Sequence, residues 1–140
     1  MNLTIYSIKK LHEVGFEFKQ FEHNYNIGNV YYYDGNIYTI GGKWGTSSND
    51  LTDKEISEKG IWLPNESDLI KWLQLTHHNI QIVYVNDECY FHGKAMNKKG
   101  EIFTGGGPDI LCCLEKIIYK ICKNSSNPVV PDIIDVLEIE

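Results

Sequence analysis

The stretch from Gly60 to Lys123 is GIWLPNESDLIKWLQLTHHNIQIVYVNDECYFHGKAMNKKGEIFTGGGPDILCCLEKIIYKICK, and it decides the fold class. Apolar residues at helical spacing follow Pro64 and predict a helix that ends near His77. A second such run, Pro108 to Lys123, carries its lysines near the carboxyl end and predicts another amphipathic helix. A sheet is expected between these two helices.

Three short runs between the helices have the composition of strands. Ile80 to Val85 and Cys89 to Ala95 predict a hairpin around Asn86 and Asp87, and Glu101 to Thr104 predicts a third strand. The order helix, sheet, helix therefore predicts an α+β fold in which helices pack on a mostly antiparallel sheet of short hairpins.

The first half of the chain starts with a predicted helix. Apolar residues recur at helical spacing from Asn2 to Val14, and Gly15 is a natural helix end. From Phe16 to about Glu22 apolar and charged residues alternate, which predicts a half-buried strand.

A second hairpin is predicted around Asp34-Gly35, because both positions of a type I′ turn require positive φ. The strands would be Val30 to Tyr33 and Asn36 to Ile40, with Tyr32 opposite Ile37 and Tyr31 opposite Tyr38. A short polar helix is predicted within Leu51 to Lys59.

At 140 residues the chain has the length of one ordinary domain. We expect a single α+β domain over residues 1–123, which could be subdivided into 1–59 and 60–123. The tail, residues 124–140, mixes acidic and apolar side chains. It is expected to add an edge strand or to pack on the body, in cis or on a second subunit.

The formal net charge is -6, and all 13 basic residues are lysines. This balance argues against a general nucleic-acid binder, which needs clustered basic residues, and no direct binding of a nucleic-acid duplex is expected. Without arginine, an anion site must use backbone amides, lysine or hydroxyl groups. No apolar run has the length of a signal peptide or a membrane span, so we expect a cytoplasmic protein of a bacterial host, without membrane contact.

The order of Trp62-Leu63-Pro64, a helix ending in Trp72-Leu73, a meander and the helix ending in residues 117–121 resembles a group of small proteins from low-GC bacteria and their phages. The second half also resembles the phage ABA-sandwich domain, in which a sheet lies between helices. The matching motifs are packing motifs, so the resemblance implies a fold and a phage or mobile-element origin, and it transfers no functional residue.

Two glycine-rich segments are candidate ligand sites. The loop from Gly41 to Asp50 combines a cation, an aromatic ring and hydroxyl groups, and the predicted ligand-binding residues are Lys43, Trp44, Thr46 and Ser47. In the alternative, Trp44 packs on the core edge and the loop is a linker.

The second candidate lies where a predicted strand is followed by a helix. Its backbone amides could approach an anion at Thr104, Gly105, Gly106 and Gly107. In the alternative, Pro108 and Asp109 form an ordinary helix start.

Tyrosines concentrate on the predicted hairpin around Asp34-Gly35, which is the first hairpin in chain order, and such density is common at binding interfaces. The predicted interface residues, in a homo-oligomer or with a partner, are Tyr31, Tyr32, Tyr33 and Tyr38. By strand alternation half of them would face the core instead.

Catalytic and metal signatures are not recognisable in the sequence. Cys89 and His92 would point to opposite faces of a strand, and no His or Cys spacing is typical of zinc, so neither metal nor cofactor is expected. His77 and His78 are interpreted as cationic residues at a helix end.

Three functions are compatible with these features. The favoured one is a non-enzymatic binding protein of phage or mobile-element origin that inhibits a host defence component by capturing a small nucleotide-like anion or a protein. The alternatives are a toxin-immunity protein, suited by the acidic charge, and, least favoured, a small enzyme of unknown class.

Overall fold

The structure is a computed structural model that describes residues 1–18, 28–41 and 52–124. These residues form four helices and six strands. The helices are α1 (Ile5–Glu13), α2 (Asp53–Lys59), α3 (Glu66–Leu75) and α4 (Ile110–Asn124). The strands are β1 (Val30–Tyr33), β2 (Asn36–Thr39), β3 (Ile61–Leu63), β4 (Asn79–Val85), β5 (Tyr90–Met96) and β6 (Ile102–Gly107).

The strands form two antiparallel sheets of three, in the orders β2-β1-β3 and β4-β5-β6. Together with the helices that pack on them they confirm the predicted α+β class. Among the described residues, no helix is long and apolar enough to cross a membrane.

The first hairpin has the predicted register, with Tyr32 opposite Ile37 and Tyr31 opposite Tyr38. Its turn residues Asp34 and Gly35 have φ of 48° and 82°. Both values are positive, as a type I′ turn requires, which explains why a local dipeptide predicted this element so well.

Local signals also define the ends of α1 and α3. The Thr4 side chain accepts a hydrogen bond from the Ser7 amide, and Asn65 and Asp68 form a reciprocal capping box with both distances 2.9 Å. Helix α1 ends at Glu13, and Gly15, two residues later, has a φ of 94°. The helix is therefore shorter at its start than the predicted Asn2 to Val14, because Thr4 is its cap.

Two predicted elements differ from the structure. Phe16 to Phe18 belong to none of the six named strands, and the rest of that predicted strand lies outside the described residues. The turn between β4 and β5 consists of the four residues 86–89. Cys89, the predicted first residue of the second strand, has a φ of 51° and belongs to this turn.

The largest correction concerns β6. It continues to Gly107, three residues beyond the predicted end at Thr104, and Gly105 and Gly106 pair with Gly93 and His92 of β5. The three consecutive glycines therefore form a strand. Glycine normally weakens a strand, so its presence indicates that another part of the chain approaches this backbone closely.

The main core draws residues from both halves of the described chain. Helices α1, α3 and α4 contribute Ile8, Leu11, Leu69, Trp72 and Leu114, and Ala95 of β5 and Leu63 of β3 pack against them. Trp72 is fully buried, and its indole N–H donates to the Glu17 carbonyl at 3.0 Å. This core holds α4 against one face of the β4-β5-β6 sheet.

A smaller core lies on the other face of the first sheet. Ile56 of α2 packs there with Tyr31, Tyr38 and Ile40. The β2-β1-β3 sheet thus lies between α2 and the main core.

Candidate functional site: the open face of the second sheet

One face of the β4-β5-β6 sheet has no covering element among the described residues. Three of its apolar side chains are 51%, 39% and 56% exposed, namely Val83, Met96 and Ile102. The opposite face carries Ala95 and Gly105, which are buried under α4. The sheet is therefore helix-covered on one side and open on the other.

Strand alternation places two rows of side chains on the open face. In the first row Lys94 of β5 lies between Gln81 and Thr104, and in the second row His92 lies between Val83 and Gly106. Because Gly106 has no side chain, the Tyr90 ring packs over it, and a Cβ atom there would lie 2.6 Å from the ring.

The result is a depression of about 400 Å³. We call it the sheet depression, and its lining residues are Gln81, Val83, His92, Gly93, Lys94, Thr104, Gly105, Gly106 and Lys120. Its volume falls in the range of small-molecule sites, roughly 300 to 1,000 Å³.

The side chains of the sheet depression favour an anion. Lys94 and Lys120 supply two ammonium groups, and Gln81 and Thr104 supply polar groups that donate and accept hydrogen bonds. His92 Nε2 lies 2.6 Å from Glu88 Oε2, so the imidazole is held by a carboxylate at the rim. The Tyr90 ring contacts that imidazole, with ring centroids 5.3 Å apart.

The free edge of β6 forms one border of the depression, and two lysines of α4 hold it. Lys120 Nζ donates to the Thr104 carbonyl, and Lys116 Nζ donates to the Gly106 carbonyl. These carbonyls lie on the edge of β6 that has no neighbouring strand within the described part of the chain. Both ammonium groups are therefore positioned by neutral oxygens.

Strand alternation divides the residues of the predicted glycine site between the two faces of the sheet. Thr104 and Gly106 face the open side, whereas a Cβ atom on Gly105 would lie 2.8 Å from the Cys113 carbonyl oxygen, and one on Gly107 would lie 2.6 Å from Cys112 Cβ. Gly105 and Gly107 thus allow α4 to pack closely on the sheet. Asp109 caps α4, because its Oδ1 accepts from the Cys112 amide at 2.8 Å, and a negative charge already occupies that helix start.

The tyrosine interface needs a correction for two of its members. Tyr31 and Tyr38 are 3% and 1% exposed, because both belong to the core under α2. Tyr32 and Tyr33 are half-buried and stay candidates. Lys43, Trp44, Thr46 and Ser47 lie outside the described residues.

His78 is also placed differently from the sequence-based interpretation. It is buried, its Nδ1 lies 3.0 Å from the Thr76 hydroxyl, and burial lowers the pKa of the imidazole. His78 lines a second depression between α3 and β4, together with Ile70, Ile80 and Ile82. A lowered pKa favours the neutral ring, so His78 does not act as a cationic helix cap.

The cysteines do not form a reactive cluster. Cys89 is exposed in its turn, Cys113 and Cys122 are buried, and burial raises the pKa of the Cys122 thiol to about 12. Among the described residues no group of three or more His, Cys, Asp or Glu side chains could hold a metal ion.

Sequence reasoning missed Lys94, Lys116 and Lys120 as site residues. The alternation of β5 places His92 and Lys94 on one face, and spacing of four places Lys116 and Lys120 on one side of α4. Neither pattern shows that this side of α4 lies along the edge of β6.

No model of a known protein family matches this chain, and no curated protein and no solved structure is significantly similar to it.

Proposed function

We propose that this chain is a small non-enzymatic binding protein that captures a nucleotide-like anion on the open face of its second sheet. The observation that carries the proposal is the sheet depression, which Lys94 of β5 and Lys120 of α4 both line. A phosphate group would lie between the two ammonium groups, and Gln81 and Thr104 would offer hydrogen bonds to its neighbours.

Binding without chemistry suits the groups that are present. His92 and Glu88 are paired with each other on an exposed rim. A site that only binds needs position and charge, and the fixed ammonium of Lys120 provides both.

The first experiment is isothermal titration calorimetry with ATP as the probe. We expect wild-type protein to bind and Lys94→Gln to weaken binding about tenfold, since the loss of a charged hydrogen bond costs roughly 1.5 kcal/mol. Lys54→Gln is the matched control, because Lys54 is an exposed lysine of α2 whose salt-bridge partner is Glu58. Absence of ATP binding, or equal effects of the two variants, would contradict the proposal.

The predicted loop site is tested with the same probe. If Lys43→Ala and Trp44→Ala leave ATP binding unchanged while Lys94→Gln weakens it, the sheet depression alone holds the ligand.

Four further ideas stay predictions: the phage origin, the role against host defence, the homo-oligomer and the toxin-immunity alternative.

A further inference from the structure

Lysines continue from the sheet depression across the surface of α4. Lys116, Tyr119, Lys120 and Lys123 are spaced by three, one and three residues, so they lie on one side of the helix. Lys10 of α1 lies beside them, with its Nζ 5.0 Å from the centroid of the Tyr119 ring. We call Lys10, Lys116, Tyr119, Lys120 and Lys123 the lysine stripe.

Neutral partners hold the lysine stripe in place. Lys116 and Lys120 donate to strand carbonyls, and the Tyr119 ring attracts both Lys10 and Lys123, whose Nζ lies 5.7 Å from its centroid. A carbonyl or an aromatic ring fixes an ammonium group without cancelling its charge. Little entropy is then lost when an anion binds.

The charge of the lysine stripe is also weakly neutralised by carboxylates. Within the described residues, the lysine salt bridges lie on α2, where Lys54 pairs with Glu58 and Lys59 with Glu55. Glu115 borders a small depression of about 110 Å³ beside Tyr119 and is the acidic neighbour of the stripe there. In a chain of net charge -6, so much positive charge on one side indicates a polyanionic ligand.

Lys120 belongs both to the lysine stripe and to the sheet depression, so the two surfaces are continuous. A mononucleotide such as ATP, whose phosphates are adjacent to each other, would use the depression and leave Lys10 and Lys123 unused. A ligand with phosphates on successive nucleotides would contact Lys120 and Lys116, whose Cβ atoms are one helical turn or about 5 to 6 Å apart, and then Lys10 and Lys123.

We propose that the ligand is a single-stranded oligonucleotide, whose backbone lies along the lysine stripe and one of whose bases enters the sheet depression. The proposal rests on the proposed function and names its ligand class. A flexible single strand can turn a base toward Gln81, Thr104 and His92, whereas a duplex keeps its bases stacked inside and is too wide for a shallow surface.

Fluorescence anisotropy with a labelled single strand of about twelve thymidines tests this proposal. We expect it to bind at least tenfold more tightly than ATP. With four to five lysine contacts, the slope of log K against log salt should be about -3, since each phosphate contact on a single strand contributes roughly -0.7.

The variants separate the two surfaces. The double variant Lys10→Gln/Lys123→Gln should weaken binding of the single strand about tenfold, reduce the salt slope by roughly 1.4 and leave ATP binding unchanged. Lys94→Gln should weaken both ligands, and Lys54→Gln should weaken neither. All four lysines are exposed, and circular dichroism verifies that each variant is folded.

Three outcomes would overturn the proposal while the proposed function stands: ATP binds as tightly as the single strand, a duplex of equal length binds equally well, or polyglutamate of equal charge competes equally. If neither ATP nor the single strand binds, both proposals are wrong.

Discussion

At the scale of single residues, the glycines of β6 have opposite roles on the two faces of one strand. Gly105 faces α4, where a Cβ atom would lie 2.8 Å from both the Cys113 carbonyl oxygen and Lys116 Cβ. Gly106 faces the open side, where a Cβ atom would meet the Tyr90 ring at 2.6 Å. The helix backbone cannot move away easily, but the half-buried Tyr90 ring at the end of its side chain can.

We therefore expect Gly105→Ala to lower the free energy of unfolding by about 1 to 3 kcal/mol, as other overpacked sites do. Gly106→Ala is the matched control in the same strand and should lower the free energy of unfolding by well under half of that amount. Urea denaturation of both variants measures the difference. Equal losses would mean that strand propensity, rather than the approach of α4, explains the glycines.

At the scale of the elements, two helices end in the same way with different residues. The Phe16 amide donates to the Leu11 carbonyl at the end of α1, and the His78 amide donates to the Leu73 carbonyl at the end of α3. Both are Schellman ends, in which one residue adopts positive φ. That residue is Gly15 in α1, with φ of 94°, and His77 in α3, with φ of 63°.

A histidine in this conformation is strained by its Cβ atom. We expect His77→Gly to raise the free energy of unfolding by about 1 kcal/mol. Gln74→Gly in the last turn of α3 is the control and should lower it by about 1 kcal/mol, because glycine disfavours a helix interior. Thermal denaturation monitored by circular dichroism compares them, and a loss of stability in His77→Gly would show that the side chain contributes more than its strain costs.

At the scale of the whole molecule, the buried imidazole of His78 and the surface imidazole of His12 make stability depend on pH. Burial lowers the pKa of His78, and desolvation lowers that of His12, from the ordinary value of 6.5. The unfolded chain then binds protons more readily than the folded chain, so stability is fully present above about pH 6.5 and is lost as the pH falls toward the folded-state values. Burial also raises the pKa of the Asp68 carboxyl. This shift affects stability in the opposite direction, and its effect falls at lower pH, nearer the ordinary pKa of 3.8.

We expect the urea midpoint to fall between about pH 7.5 and pH 5.5. In His78→Phe, which keeps an aromatic contact with Phe103, the fall should be smaller. An unchanged profile in His78→Phe would show that His78 is not the titrating group.

Much of the fold was predictable because its signals are local. Asp34-Gly35 specifies a turn by its own backbone preferences, and the apolar periodicity of α3 and α4 specifies the helices and their buried sides. The end of β6 was not predictable in this way, since glycine runs are far more common in turns than in strands. Only the approach of α4 explains why three glycines remain in a strand.

The sequence by itself determined the α+β class, the first hairpin with its register, and the absence of arginine that leaves lysines to hold any anion. The tertiary structure decided which lysines meet. Lys94 and Lys120 come from different elements and line one depression, because α4 packs on the opposite face and its lysines reach the free edge of β6. Such a juxtaposition depends on packing between distant segments, and short-range patterns carry no information about it.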